Sequence, residues 1–390
     1  MKRRDFLMRS AVTCVAGGSL TPVLAQTTVS EITPDNKTNK MADGTTRRRF
    51  KVIQQHQLIR PFKVEGPAKL WIPLPEDTHF QELVEYRYSG TFKEAFVTDQ
   101  NDYKAQTLFA IWPDSTAPMA LTLEAVIETQ NWEPALKGEL QGYQPPAQIN
   151  YPQETQLFLK ATEMMPLDGI VKETAEKIVG SETNPLKQAR LIYEWVTANM
   201  ERDNSVIGCG IGDVKTILTT GKLSGKCTDI SSVFVALVRS VGIPAREMFG
   251  IRLGAPSSAL APYSKTAFGS ADANGLAQIS GGQHCRTQFY LAGFGWVPCD
   301  PADVTKMRLA ERKTHSDADV QAVNEYLFGN WDMNWVGFNY GRDFELYPQA
   351  EQAPMNQFGY PYAEIDGNPL DYYDPEAFSY EYQSQEENQA

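Results

Sequence analysis

Cys227 stands three residues ahead of Ile230, the first of a set of apolar residues at helical spacing that continues through Val233, Phe234, Leu237 and Val241. Gly242 followed by Pro244 ends the run. The pattern predicts a helix whose first turn carries a thiol on its buried face. There the positive end of the helix dipole favours thiolate, and can bring a thiol from about 8.5 into the range of roughly 3.5 to 7.5. A thiolate nucleophile needs a base to share its proton and a group to hold that base. His284 and Asp300 are the candidates. Residues 289–291 and 296–298 flank Ala292-Gly293-Phe294-Gly295, which reads as a tight hairpin. With its turn centred near Ala292 and Gly293, His284 and Asp300 fall opposite each other at the open end. Taken alone, Cys227 reads as a packed core thiol before it reads as a nucleophile, since free cysteine is among the most buried residue types. The downstream His and Asp turn the reading toward acyl transfer: imidazole takes the thiol proton, and carboxylate fixes the ring and stabilises imidazolium.

The elements that must position these groups follow from the rest of the chain. Its 390 residues suggest more than one domain, and 42% hydrophobic against 22% charged residues is a globular composition. Residues 48–133 read as strands: 50–59, 68–74, 107–112 and 119–129. In the last of these Leu121, Leu123, Ala125 and Ile127 alternate with Thr122, Glu124, Val126 and Glu128. Residues 113–118 read as a hairpin connection, and the whole as a small β-sandwich-like domain. Residues 134–153, rich in Gly and Pro, read as a linker. Helical language follows. Asn184 and Pro185 form an N-cap and first-turn proline before the face of Leu186, Ala189, Tyr193, Val196 and Met200, a helix expected beside the cysteine helix. Between the two, Ile207 to Gly212 is a glycine-rich turn that lacks the spacing and lysine of a phosphate loop and brings Cys209 near. His56 and His79 stand apart from any cluster and read as surface or packing residues.

The opening 25 residues have a basic start, a short apolar stretch and a small-residue end. Arg3-Arg4 followed by Asp5-Phe6-Leu7 resembles a twin-arginine export signal, which implies the export machinery as a partner and a periplasmic address. No stable membrane span is expected once the signal is removed. Residues 26–47 read as a flexible tether. The formal charge of -12 becomes about -15 without the signal, which argues against nucleic acid as a partner. In an oxidising compartment Cys209, Cys227, Cys285 and Cys299 could form two bridges, but a working nucleophile leaves room for one at most.

The ordered motifs resemble the transglutaminase-like superfamily, in which GxC opens a helix that ends in RxxGIPAR, and HxWxExxxxGxGWxxxDP supplies His and Asp. Here Gly225-Lys226-Cys227 is followed by Arg239-Ser240-Val241-Gly242-Ile243-Pro244-Ala245-Arg246, then by His284 and Gly295-Trp296-Val297-Pro298-Cys299-Asp300-Pro301. The resemblance implies an α+β fold with a papain/transglutaminase-like core over residues 154–310, its Cys-bearing helix packed on an antiparallel sheet. It also implies a cysteine-dependent enzyme acting on an amide or peptide bond of a peptide or protein substrate, with Cys227, His284 and Asp300 as catalytic residues. No cofactor or metal is implied. The chain departs from the pattern where Cys285 and Arg286 follow His284. By strand alternation Cys285 is expected to point away from the catalytic face and, with Cys299, to lie on the opposite side.

Residues 311–390 are aromatic and acidic. They read either as a wall of the substrate cleft or as an irregular extension wrapped over the core. Hydrolysis by a protease or amidase is favoured over protein cross-linking, because water is always present as acceptor and nothing marks an amine site. The alternative of a different class is a non-catalytic transglutaminase-like binding module that keeps the fold. A zinc site joining His284 to cysteines is disfavoured, because Cys285 and Cys299 lack CxxC spacing.

Overall fold

A computed structural model describes residues 30–32, 41, 46–59, 65–113, 118–256, 271–352 and 354–387. The expected export signal lies outside the described residues. The chain begins with β1 (Ser30–Ile32), β2 (Arg47–Leu58), β3 (Ala68–Pro73), β4 (Gln81–Gly90), β5 (Glu94–Thr98), β6 (Thr107–Trp112) and β7 (Met119–Gln130). A 3-10 turn (Gln153–Leu159) leads to α1 (Ile170–Val179), α2 (Pro185–Asn199), β8 (Glu201–Arg202), α3 (Val214–Thr220), β9 (Ser224–Gly225) and α4 (Cys227–Ser240). Then come β10 (Ala245–Arg252), β11 (Leu276–Gln278), β12 (Gln283–Leu291), β13 (Gly295–Cys299), α5 (Pro301–Glu311) and α6 (Ala318–Tyr326). The C-terminal part adds β14 (Trp335–Asn339), β15 (Arg342–Phe344), β16 (Met355–Gln357), β17 (Tyr362–Ile365), β18 (Asn368–Pro369) and β19 (Phe378–Glu387). Among the described residues no helix is long and apolar enough to cross a membrane.

The period-two pattern of residues 119–129 does build a strand with one buried face: Leu121, Leu123, Ala125 and Ile127 of β7 are buried. It lies in a six-stranded sheet of order β1-β4-β7-β2-β19-β11, facing a five-stranded sheet of order β18-β17-β3-β6-β5. The two share one apolar core that includes Val52, Leu70, Leu108 and Leu123. β6 and β7 therefore do not form the expected hairpin. The chain changes sheets between them, as a sandwich requires, and each strand finds its partners elsewhere.

Two features of this sandwich differ from the reading of consecutive domains. Ser30–Ile32, inside the expected tether, pair antiparallel with Tyr86–Tyr88. More consequentially, the C-terminal part returns to the sandwich: β19 pairs with β2 from Phe378↔Leu58 to Glu387↔Arg49, and β17 pairs with β3. An unpaired edge of β2 would expose a row of backbone donors and acceptors, and β19 covers it. The buried Phe378 and Tyr382 join the same core.

The second core surrounds α4, which is buried from Cys227 through Arg239. Its polar members are enclosed too, and Asp229, Ser232 and Arg239 each find hydrogen-bond partners there. The sheet β13-β12-β10-β14 lies against it, and α1, α2 and α5 pack around it. Asn184 caps α2 as its position predicts, accepting from the Leu186 N–H at 3.0 Å and the Lys187 N–H at 3.4 Å. Tyr193 of α2 then meets Phe234 of α4 edge-on, with ring centroids 6.2 Å apart.

Candidate active site

The first turn of α4 is built by the carboxylate of Asp229. It accepts the Lys226 N–H at 2.9 Å, the Gly212 N–H at 2.9 Å and the Ile211 N–H at 3.2 Å. One acid thus caps its own helix and ties down the glycine-rich turn. A Cβ on Gly225 would lie 2.4 Å from the Asp229 side chain, and one on Gly210, where φ is +87°, would lie 2.0 Å from it. Those two glycines are what let the backbone wrap around the carboxylate. The turn is further held by the Thr228 N–H, which donates to the Cys209 carbonyl at 2.9 Å. Cys209 is thereby brought against Cys227.

Three thiols meet there. The Cys227 sulfur lies 4.0 Å from the Cys209 carbonyl, with the Cys209, Cys285 and His284 side chains close enough to act on its charge. Cys209 and Cys285, in that order, outweigh the burial that would favour a neutral thiol; His284 adds to the effect, and Cys227 is lowered well below the ordinary thiol range. Cys209 and Cys285 move the other way and remain thiols, because each faces the Cys227 charge in a buried setting. All four described cysteines are free and buried. Cys285 does not point away from the site as strand alternation suggested. The start of β12 lies against the first turns of α4, so the face that carries Cys285 meets that helix, with Sγ 3.7 Å from both Thr228 Oγ1 and Ser231 Oγ. Cys299 is not directly across from Cys285: it pairs with Thr287 and contacts the Thr287 hydroxyl at 3.1 Å.

β12 and β13 do form the expected hairpin, but the pairing Leu291↔Gly295 closes it with a three-residue turn. The ladder runs through Thr287↔Cys299, so the next step places Asp300 level with Arg286 rather than His284. Arg286 and His284 lie two apart on one face, and Asp300 reaches His284 diagonally. The distance from Asp300 Oδ2 to His284 Nε2 is 2.7 Å. With Nε2 engaged by carboxylate, Nδ1 is the ring atom left to face the sulfur. Asp300 is also the N-cap of α5: its Oδ1 accepts the Asp303 N–H at 3.0 Å. Carboxylate orientation is therefore fixed from both oxygens.

Further residues that the sequence did not single out complete the arrangement. Asp303 Oδ1 lies 3.6 Å from His284 Nε2 and is paired with Arg252; both of these side chains are buried. Arg286 Nε lies 3.6 Å from Asp300 Oδ2 and its guanidinium stacks over Trp335 at 4.9 Å, while the Trp335 indole N–H donates to the His284 carbonyl at 2.9 Å. Burial and Arg252 push His284 toward the neutral ring, but the charges of Asp300 and Asp303 and the bond to Asp300 win, and its pKa is raised above the ordinary value. His284, Asp300 and Asp303 could in principle offer three ligand atoms within 4.8 Å of one another. Arg252 and Arg286 already balance the two carboxylates, so the cluster suits orientation of an imidazolium better than capture of a metal ion.

The site opens to a cleft of about 290 Å³ lined by Cys227, His284, Cys209 and the tyrosines Tyr360, Tyr373 and Tyr380. The C-terminal part thus contributes a wall of aromatics at this cleft. The Tyr360 hydroxyl lies 3.1 Å from Cys209 Sγ, and its ring stacks on Tyr372 with centroids 5.0 Å apart. His56 and His79 lie elsewhere, both among aromatic side chains.

Among known families, residues 172–301 match the transglutaminase-like superfamily core, a span that contains Cys227, His284 and Asp300. An uncharacterized protein of Haemophilus influenzae is 56% identical over 341 residues, which cover 87% of this chain and 92% of that one. The crystal structure of a candidate cysteine protease from Cytophaga hutchinsonii shares the fold, with a TM-score of 0.52 at 14% identity, over 89% of this chain and 93% of its own. The periplasmic domain of TgpA from Pseudomonas aeruginosa aligns over 76% of this chain and 98% of its own at 12% identity, with a TM-score of 0.33. With the motif order, the fold and the family match in agreement, the chain belongs to the transglutaminase-like superfamily.

Proposed function

We propose that this protein is an exported, cysteine-dependent acyl-transfer enzyme that cleaves an amide or peptide bond through an acyl-Cys227 intermediate and passes the acyl group to water. The observation that carries this reading is the bond of His284 Nε2 to Asp300 at 2.7 Å in the cleft that Cys227 shares, at the start of a buried helix. The thiolate attacks the substrate carbonyl, and the new oxyanion is met by N–H groups of the first turn of α4, that of Cys227 being nearest in the chain to the sulfur. His284, as imidazolium, gives its proton to the leaving nitrogen as the C–N bond breaks. Water then attacks the thioester, His284 takes its proton, and the C–S bond breaks to release acid and restore the thiolate. Asp300 holds the ring throughout. Arg3-Arg4-Asp5-Phe6-Leu7 supports export by the twin-arginine route to the periplasm, and replacing both arginines with lysine should abolish the periplasmic yield.

Activity-based labelling with a thiol-directed acyl probe, followed by peptide mapping, tests the reading. Cys227 should be labelled in the wild type and spared in His284→Ala; equal labelling of the two would remove the triad. Failure of Cys227 to react faster than an exposed model thiol would return the chain to the class of non-catalytic binding modules. Offering a fluorescent primary amine with a protein substrate separates the two acceptors: free acid is expected, and incorporation of the amine would overturn the preference for water.

A further inference from the structure

The chain is acidic overall, with a formal charge of -12. The cleft at Cys227 has the opposite character. Arg202, Lys226, Arg252 and Lys306 line it, and among the described residues that line it there is no Asp or Glu. Arg252 is balanced by Asp303, so its charge belongs to the His284 network. Arg202 instead donates from Nε to the neutral amide of Asn204 at 3.0 Å. Lys306 stands on α5 at the same wall. Burial, followed by the charges of Arg252 and Arg202, brings its pKa down to about 8 in spite of Asp303 and Cys227. Gathering ammonium and guanidinium groups in one partly closed cleft costs electrostatic energy that an incoming anion relieves. The Cys227 thiolate is not by itself that anion, because the charge of His284 already matches it.

We propose that the cleft selects peptides bearing a carboxylate next to the scissile amide, either an acidic side chain or a free main-chain terminus, read by Arg202 and Lys306. This rests on the acyl-transfer reading above and names its substrate class. A carboxylate seated between these two groups lies beside the reacting carbonyl, so it fixes the register of the substrate. The tyrosines Tyr360, Tyr373 and Tyr380 offer flat apolar and hydrogen-bonding surface to the neighbouring residue. Selection here works by charge as well as by shape, and it is sensitive to salt because the cleft is open to solvent.

Two matched pairs of probes separate the two sources of carboxylate. One pair is peptidyl acyloxymethyl ketones ending in Glu or in Gln, scored by the rate of Cys227 labelling in mass spectrometry. The other is peptides ending one residue beyond the scissile amide as free acid or as carboxamide, scored by kcat/KM. The acidic member of at least one pair should react about tenfold faster or more near pH 7 in dilute buffer, with the gap narrowing as salt is added. In the double variant Arg202→Gln/Lys306→Gln the ratio should fall to within about threefold, with the circular dichroism spectrum reporting that the fold is kept. Equal rates within both pairs in the wild type would overturn the proposal, and so would a preference that survives in the double variant. Absence of Cys227 labelling by either ketone would instead overturn the acyl-transfer reading beneath it, so the two failures are distinct.

Discussion

Arg342 donates from Nε to Glu247 Oε2 at 2.7 Å, and both side chains are buried. The pair joins the C-terminal part of the chain to β10, behind the cysteine helix. Ser232 of α4 donates to Glu247 Oε1 at 2.7 Å, and Arg342 Nη1 donates to the Ile211 carbonyl at 3.2 Å, beside the turn that Asp229 holds. A residue far along the chain from Cys227 therefore clamps the helix that presents it. Arg342→Met leaves Glu247 buried without its counter-charge and should cost about 3–5 kcal/mol in urea unfolding. Adding Glu247→Gln should recover part of that loss, as removing both charges of a buried pair is cheaper than removing one. A single variant as stable as the wild type would show that the clamp is dispensable.

Asp300 has two separable duties, and a conservative substitution divides them. In Asp300→Asn the amide oxygen can still accept the Asp303 N–H, so α5 stays capped and stability should move by less than about 1 kcal/mol. The amide presents no negative charge to His284, however, and can orient the ring in the wrong tautomer. A loss of roughly a thousand- to ten-thousandfold in kcat/KM is expected, with little change in Tm. Asp300→Ala should lose activity and cap together. If Asp300→Asn retained near wild-type turnover, the carboxylate would be a cap alone.

His56 provides a stability prediction remote from the chemistry. Its ring is buried against Tyr382, with centroids 5.7 Å apart, and burial pulls its pKa to about 3 from an ordinary 6.5. The unfolded chain thus takes up the proton first. The contribution of this group is complete above pH 6.5 and is lost as pH falls from there toward 3, at about 1.4 kcal/mol for each pH unit at the steepest. His56→Phe should flatten the fall in unfolding free energy between pH 6.5 and 4, whatever it does to stability at neutral pH. An unchanged slope would show that other groups set the acid limb.

How much of this was legible in the sequence depends on the range over which each feature is encoded. The helix of Cys227 and the hairpin carrying His284 and Asp300 are local patterns of period and turn residues, and both form where their residues place them. The register differs by two residues because the turn is centred on Gly293, one residue past the centre that would set His284 opposite Asp300, and no pattern in Ala292-Gly293-Phe294-Gly295 fixes that centre. Asp229 carries a signal in hindsight, as an acid at the third position of a helix next to two glycine-rich segments. Arg252, Asp303 and Arg342 carry none, because what makes them matter is pairing across the fold. The same holds for β19: its run of Tyr and Gln reads as a polar tail until β2 is seen to lack a neighbour on that edge.

The Cys227 sulfur is reactive over a pH range that its neighbours set. Cys227 is lowered and His284 raised, so thiolate and imidazolium coexist between the two values. Labelling of Cys227 by iodoacetamide should persist well below pH 8.5, where an exposed thiol fades, and turnover should decline at high pH as His284 loses its proton. Cys209 and Cys285 are the largest causes that lower Cys227, so Cys209→Ala and Cys285→Ala should each move the acid edge of labelling upward. Cys299→Ala serves as the control, because that thiol contacts Thr287 and not the cluster. In the wild type Cys209 and Cys285 should resist the reagent, each being held as thiol by burial and by the charge on Cys227. An acid edge that stays fixed in both alanine variants would mean that His284 and the helix alone set the thiolate, and that the two neighbouring thiols only fill space.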